Sequence, residues 1–391
     1  MNKTPKLRFK EFSGDWNKKR LSEIASIKGG YAFKSKEFSN YKDKYQVIKM
    51  GNLYQNQLLL DRSPSYKKEI TEKEEQYLLK SGDIIITLTG TVGKKDFGYS
   101  YRISDEKNLL LNQRLGLIRN KENISDDRFL KYTVLDKFFL DQFFESSVGG
   151  TGNQANVSTK NMEEFYVYSP KLEEQEKIAS FFSLIDDKIS LQGEKVEALK
   201  DYKTGMMQKI FSRVLRFKDD DGRDYPEWEE KKLGDLLKYI SSGKTKSKNE
   251  EGRYKVYGSM GVIGYTENKE YEGEHILIAR VGANAGTVNI INEPCGISDN
   301  TLAVKCNEVI DCRFLYYKLN QYNLSRLVFG SGQPLITGGQ VKDIKVYVPT
   351  LNEQIKISKY LYVLENKLKK EQEKLDYLNE YKKGLLQQMF V

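Results

Sequence analysis

The sequence predicts an α+β protein built as an internal repeat. Two globular α/β domains are joined by two long helices that pair as an antiparallel coiled coil, giving a pseudo-twofold layout. Three observations predict this. Short signatures recur in the same order along the chain, two proline-free stretches carry apolar residues at heptad spacing, and the segments before those stretches alternate short apolar runs with turn residues. The expected boundaries are 1–170 for the first domain, 171–212 for the central helix, 213–349 for the second domain and 350–391 for the C-terminal helix.

The repeat is read from residue matches. Leu7-Arg8-Phe9-Lys10 recurs as Leu215-Arg216-Phe217-Lys218. Trp16 followed by Leu21-Ser22-Glu23-Ile24 recurs as Trp228 followed by Leu233-Gly234-Asp235-Leu236. Pro170-Lys171-Leu172-Glu173-Glu174-Gln175 recurs as Pro349-Thr350-Leu351-Asn352-Glu353-Gln354. The offset is 212 at the tryptophans and 179 from the prolines to the end, so the second globular part is 33 residues shorter while the helices keep their length. Loops tolerate length changes, whereas a packed helix that gains a residue rotates its buried face away.

The helices have matched seams. Ile178, Phe182, Ile185, Ile189, Val196, Leu199, Met206 and Ile210 answer Ile357, Leu361, Leu364, Leu368, Leu375, Leu378, Leu385 and Met389. Polar residues interrupt both seams at the same places, Gln192 and Lys203 in one, Glu371 and Lys382 in the other, as expected of positions that fix register. Forty residues make a helix of about 60 Å. Pro170 and Pro349 stand where a helix tolerates proline. Gly205 and Gly384 are expected to loosen the helices or admit another backbone.

The globular segments read as curved, mostly antiparallel sheets. Ile84–Leu88, Leu115–Ile118, Ile276–Ala279 and Thr301–Val304 are strands, with short helices near Arg128–Phe143 and Arg313–Leu324. Each ends in a polar, glycine-bearing stretch, 149–158 and 330–337. Their recurrence makes Thr151, Asn153, Gln154, Asn156, Ser158, Lys160, Gln333 and Thr337 candidates for contact with double-stranded DNA. Amides pair with adenine edges and basic groups with guanine or phosphate. Lys94, Arg114, Lys244 and Arg280 are further candidates from the ends of strands.

Composition bounds the function. The chain has 391 residues, 39% hydrophobic and 30% charged, with a net charge of +9. That is enough apolar material for sizeable cores. No apolar run reaches membrane-spanning length, and no signal-peptide core follows Met1, so a cytoplasmic protein is expected. Residues 1–170 carry a net +7 and residues 213–349 only +1, a modest case for a polyanionic partner. Cys295, Cys306 and Cys312 fit no zinc pattern, and the lone His275 lies in an apolar run, so no metal site is expected. Gly243-Lys244-Thr245 lacks the upstream glycine of a phosphate loop, and Lys238 stands there instead. One histidine cannot furnish a catalytic triad in each repeat, and neither a dinucleotide fingerprint nor an amino-methyltransferase signature is present.

Taken with the two-copy layout, the Pro-x-Leu-x-Glu-Gln helix starts and the Lys-x-Gly helix ends at Lys203 and Lys382 resemble the specificity subunit of Type I restriction-modification enzymes, over essentially the whole chain. The resemblance implies two target recognition domains, each binding one half of a bipartite asymmetric DNA sequence. It implies that the helices set an unread spacer and dock two methyltransferase subunits, with restriction subunits joining. It implies a non-catalytic chain with no cofactor of its own, S-adenosylmethionine, ATP and Mg being bound by the partners. Ile178, Phe182, Ile185, Ile189, Leu199, Leu361, Leu364, Leu368 and Leu378 are assigned to the coiled coil and to subunit docking. A coiled-coil scaffold that binds only proteins is the rival reading.

Overall fold

The structure is a computed structural model and describes residues 4–149, 153–246, 249–258, 260–330 and 334–391. The chain forms two compact units, Met1–Gln192 with Lys374–Val391, and Gly193–Glu373. The division falls inside both long helices, Leu172–Phe211 and Leu351–Met389, so each unit holds one globular region and a piece of each helix.

In the first unit a four-stranded antiparallel sheet runs in the order Ala25–Gly29, Leu115–Asn120, Ile84–Thr87, Ser100–Arg102. Its centre is Ile84-Ile85-Ile86. Successive strand side chains point to opposite faces, so Ile84 and Ile86 enter one core while Ile85 enters another. Both faces being covered explains an unbroken apolar run where a half-exposed strand would alternate. The second unit repeats this with Leu237–Ser242, Thr301–Cys306, Glu274–Ala279 and Val288–Asn292. There Ile276 and Ile278 enter one core and Leu277 the other.

A second, three-stranded sheet in each unit adds one parallel pair to the mostly antiparallel pairing expected. Tyr45–Ile48 pairs in parallel with Leu109–Leu111, and Tyr254–Gly258 pairs in parallel with Cys295–Ile297. Each parallel pair is reached across a bare backbone approach. A Cβ on Gly30 would lie 2.0 Å from the Asn112 carbonyl oxygen, and one on Gly243 would lie 2.3 Å from that of Ile297. Any side chain there would push the chain that leaves Ala25–Gly29 or Leu237–Ser242 off the end of Leu109–Leu111 or Cys295–Ile297. A two-stranded ribbon completes each unit, Asn17–Arg20 with Tyr166–Ser169 and Glu229–Lys232 with Lys345–Val348.

The length difference lies in the peripheral elements. The first unit has a hairpin, Leu53–Tyr54 with Gln57–Leu58, and two helices, Asp127–Thr133 and Lys137–Glu145. The second has one longer helix, Cys312–Tyr322, and a short turn at Leu324–Leu327. The stretch 128–143 is therefore two helices, because Asp136 leaves helical geometry to cap the second through the Phe138 amide, 3.0 Å away.

The Pro-x-Leu-x-Glu-Gln starts are buried clamps. Glu174 accepts two hydrogen bonds from Arg8, both 2.7 Å, and one from the Trp16 indole at 3.3 Å. Glu353 does the same for Arg216, at 3.3 and 2.9 Å, and for Trp228 at 3.2 Å. The next residue ties the helix to the domain. Gln175 accepts from the Asp126 amide at 3.0 Å and donates to the Pro170 carbonyl at 2.9 Å, and Gln354 does so with Asp311 and Pro349, both 2.8 Å. Asp126 and Asp311 in turn cap the following helices. A carboxylate is tolerated in so buried a place because a guanidinium fork and an indole N–H satisfy it.

The seams pack as expected within each unit. Ile178, Phe182, Leu385, Met389 and Phe390 share a core in the first, and Ile210, Ile357 and Leu361 in the second. Antiparallel direction follows from the contacts. In the second unit Lys195 meets Glu371 at 2.6 Å and Lys203 meets Glu365 at 2.8 Å, one number rising as the other falls. In the first unit Lys382 meets Asp186 at 2.6 Å, the repeat equivalent of Lys203 with Glu365. Tyr132 donates to Asp186 and Tyr317 to Glu365, each at 2.8 Å. The expected close approach at Gly205 and Gly384 is not found, since nothing described lies within 4 Å of a Cβ built on either.

Candidate nucleic-acid interface

The candidate residues gather at the end of the central strand of each four-stranded sheet. In the first unit Ile84–Thr87 runs on through Leu88 into Thr89–Thr91, which pairs with Gln154–Asn156. The Leu88 amide donates to the Arg114 carbonyl at 3.1 Å, and the Leu88 carbonyl accepts from Val157 at 2.9 Å. The Val92 amide donates to the Asn153 carbonyl, and the Lys94 amide to the Thr91 carbonyl, both at 3.0 Å. These bonds bring Lys94, Arg114, Asn153, Gln154 and Asn156 around one strand end, all exposed. Asn156 is also held by the Thr89 hydroxyl, which donates to its side-chain oxygen at 2.9 Å.

The second unit repeats the backbone. The Arg280 amide donates to the Asn300 carbonyl at 3.0 Å, and the Arg280 carbonyl accepts from Ile336 at 2.9 Å. Gly282 donates to the Pro334 carbonyl at 2.9 Å, and Gly243, just before Lys244, donates to the Thr301 carbonyl at 2.8 Å. The Arg280 guanidinium bonds the Ser242 hydroxyl at 2.9 Å. Lys244 and Arg280 therefore share one wall with Asn300, a residue the sequence reading missed. Its signal was structural equivalence to Arg114, concealed because 26 positions separate Leu88 from Arg114 and 20 separate Arg280 from Asn300.

Two candidates also cap short helices. Ser158 and Thr337 are equivalent helix caps, accepting from the amides of Asn161 at 3.0 Å and Gln340 at 3.3 Å. Lys160 lies on the short helix that Ser158 starts, Thr159–Glu163. Thr151 and Gln333 lie outside the described residues.

The seam residues assigned to the coiled coil and to docking differ in burial. Ile178, Phe182, Leu361 and Leu378 are buried, and Ile185, Ile189, Leu199, Leu364 and Leu368 are half-buried. The exposed apolar groups on the helices are others. Leu184 and Val363 stand 70% and 63% exposed at equivalent places, and Tyr202 and Tyr381 are a second such pair.

The remaining chemistry is structural. His275 is buried, with its Nδ1 2.9 Å from the Gly273 carbonyl and its Nε2 2.6 Å from the Tyr239 hydroxyl. The carbonyl needs a donor, so Nδ1 carries the proton and Nε2 accepts from the tyrosine. Burial then holds the imidazole pKa below its usual value. Cys295 and Cys312 are buried thiols and Cys306 is partly buried. Among the described residues no cluster of three potential metal ligands occurs, and no helix is long and apolar enough to cross a membrane.

Two lengths of the chain, 13–201 and 225–380, match the Type I restriction modification DNA specificity domain. The chain belongs to that family. Each matched length falls within one repeat and takes in its strand-end wall and the tryptophan, glutamate and glutamine of its clamp, while Arg8 and Arg216 lie just outside. The chain is 25% identical over 356 residues to the specificity subunit of the type I restriction enzyme EcoprrI of Escherichia coli, covering 87% of this chain and 85% of that one. It is 26% identical over 404 residues to the putative MjaX specificity subunit of Methanocaldococcus jannaschii, covering 96% and 93%. The fold matches the crystal structure of a type I S subunit from M. genitalium over 99% of both chains, with a TM-score of 0.66 at 21% identity.

Proposed function

We propose that this chain is the specificity subunit of a type I restriction-modification enzyme, each domain reading one half of a bipartite DNA sequence. One observation carries the reading. Two copies of a DNA specificity domain keep the same backbone bonds at the strand end and present different side chains from it. Repetition of the backbone supports this strand end as the place where DNA meets each domain, and divergence of the side chains would let the halves differ.

The wall groups are suited to the task. Asn153, Gln154 and Asn156 offer amides, while Lys94, Arg114, Lys244 and Arg280 offer cations. The chain contributes recognition and no catalysis, with S-adenosylmethionine, ATP and Mg acting on partner subunits in the cytoplasm. The helix pair sets the unread spacer, a 40-residue helix of about 60 Å exceeding one duplex turn of about 34–36 Å. The methyltransferase subunits dock on the helix pair, where the exposed Leu184 and Val363 stand at equivalent places.

The test is a footprint. With its methyltransferase subunits the chain is expected to protect two short tracts separated by a gap of unspecified sequence. A single continuous tract contradicts two readers, and no footprint with partners present favours a protein-only scaffold.

A further inference from the structure

The strand-end node described above is the same backbone in both units, with its arginine transposed. Two bonds define it, one amide reaching across to a neighbouring turn and one carbonyl receiving the strand after it. In the first unit these positions are Leu88 on the strand and Arg114 on the turn. In the second they are Arg280 on the strand and Asn300 on the turn. Leu88 is 8% exposed and forms part of the core, so the first unit presents its cation from the turn alone.

The lack of a carboxylate or ring partner among the described residues sets these two arginines apart. The sequence has 14 arginines. Among the described residues, eight of the others hold a carboxylate: Arg8, Arg20, Arg102, Arg119, Arg128, Arg216, Arg223 and Arg313. The other four sit over a tyrosine ring. Arg114 has no described partner. Arg280 bonds only neutral oxygens, Nη1 to the Ser242 hydroxyl at 2.9 Å and the Asp299 carbonyl at 3.4 Å, which leaves its Nε and Nη2 without a described partner. Both stand on fixed backbone. The turn carrying Arg114 is closed by the Leu115 amide on the Asn112 carbonyl at 3.0 Å and the Gln113 amide on the Asn112 side chain at 2.8 Å.

We propose that Arg114 and Arg280 are the guanine-reading residues of this chain, one per domain, delivered to the DNA from opposite sides of one repeated node. The inference rests on the DNA-reading function proposed above and says which groups specify sequence. A planar guanidinium with an open pair of N–H groups matches the O6 and N7 acceptors of guanine, a match that an ammonium does not reproduce. The tether to Ser242 and Asp299 fixes the Arg280 plane before DNA arrives. The transposition makes the two domains read guanine at different places in their half-sites.

The test maps methylated adenines across the genome in cells holding the cognate methyltransferase subunits and either the native chain, R114A, R280A or R280K. The native chain is expected to give a two-part motif. R280A is expected to lower the preference for guanine at one position of one half-site about tenfold or more, R114A to do so in the other half-site, and R280K to behave as R280A. A native two-part motif whose every position survives R114A and R280A, or is restored by R280K, overturns the assignment and makes these arginines phosphate contacts. A native chain that gives no two-part motif removes the DNA-reading function itself, and the assignment with it.

Discussion

The clamp that starts each long helix and the node that ends each central strand belong to the same repeat, yet they have diverged to opposite degrees. At the clamp the residues are the same in both units: arginine, tryptophan, glutamate and glutamine, making the same bonds. At the node the bonds are the same and the residues are not: Leu88 with Arg114, Arg280 with Asn300. A buried carboxylate needs every one of its partners, so no single member of the clamp can change without stranding the others. A node held by backbone amides and carbonyls does not itself fix which side chains it carries. Residue identity is thereby kept in one region while side chains vary in another.

The comparison breaks most readily at the clamp. Glu174→Ala and Glu353→Ala each strand a guanidinium and an indole N–H, and each is expected to cost about 3 kcal/mol. Urea unfolding of the chain measures it. Similar losses in both repeats sharpen the comparison, and a loss below about 1 kcal/mol in either breaks it.

The seam pair comes next. Burial alone would raise the Asp186 carboxyl, but the Lys382 and Lys131 ammonium groups hold it below its usual value. A lowered carboxyl lends stability above its unfolded value, near pH 4, and loses it as pH falls through the folded value. Lys382→Met is expected to cost about 1 kcal/mol at neutral pH, to shrink that acid limb, and to leave the methylated sequence unchanged. A changed half-site would show that the seam reaches into recognition.

The caps are smaller again. Ser158→Ala and Thr337→Ala are each expected to cost about 1 kcal/mol with no change in the sequence methylated. A shift in that sequence would return both residues to the reading surface.

A last effect separates the two units by pH. Burial lowers the Lys318 ammonium to about 8, with Arg213 adding to the shift. Its folded value lies below its unfolded one, so the second unit gains stability as pH rises from about 8 toward the ordinary value of 10.5. Burial raises the Asp136 carboxyl to about 6. The first unit therefore gains stability as pH falls from about 6 toward the ordinary carboxylate range. Lys318→Met and Asp136→Asn are expected to flatten these opposite limbs, seen in thermal unfolding from pH 4 to 10. Limbs of the same sign would contradict the assignment.

Much of this was legible in the sequence, and for physical reasons. A seam survives in sequence because burial is periodic along a helix, so Ile178, Phe182, Leu361 and Leu378 could be named without coordinates. The clamp was visible as recurrence, since Glu174 and Glu353 keep their spacing from proline. Its partners were not, because Arg8 and Trp16 lie more than 150 residues from Glu174. The parallel strand pairs were hidden because Leu109–Leu111 and Cys295–Ile297 carry apolar residues that suit either direction. Ser158 and Thr337 drew attention by recurring, but a helix cap recurs as faithfully as a contact does. Asn300 escaped notice because its equivalence to Arg114 lies in a backbone bond and not in a residue type.

The central claim is that one repeated scaffold carries two separate readers. The most direct measurement replaces residues 1–170 with those of another family member and maps the methylated adenines in cells supplying the methyltransferase subunits. The account predicts that one half-site changes while the other half-site and the spacer length stay as they were. A change in both half-sites together would contradict it.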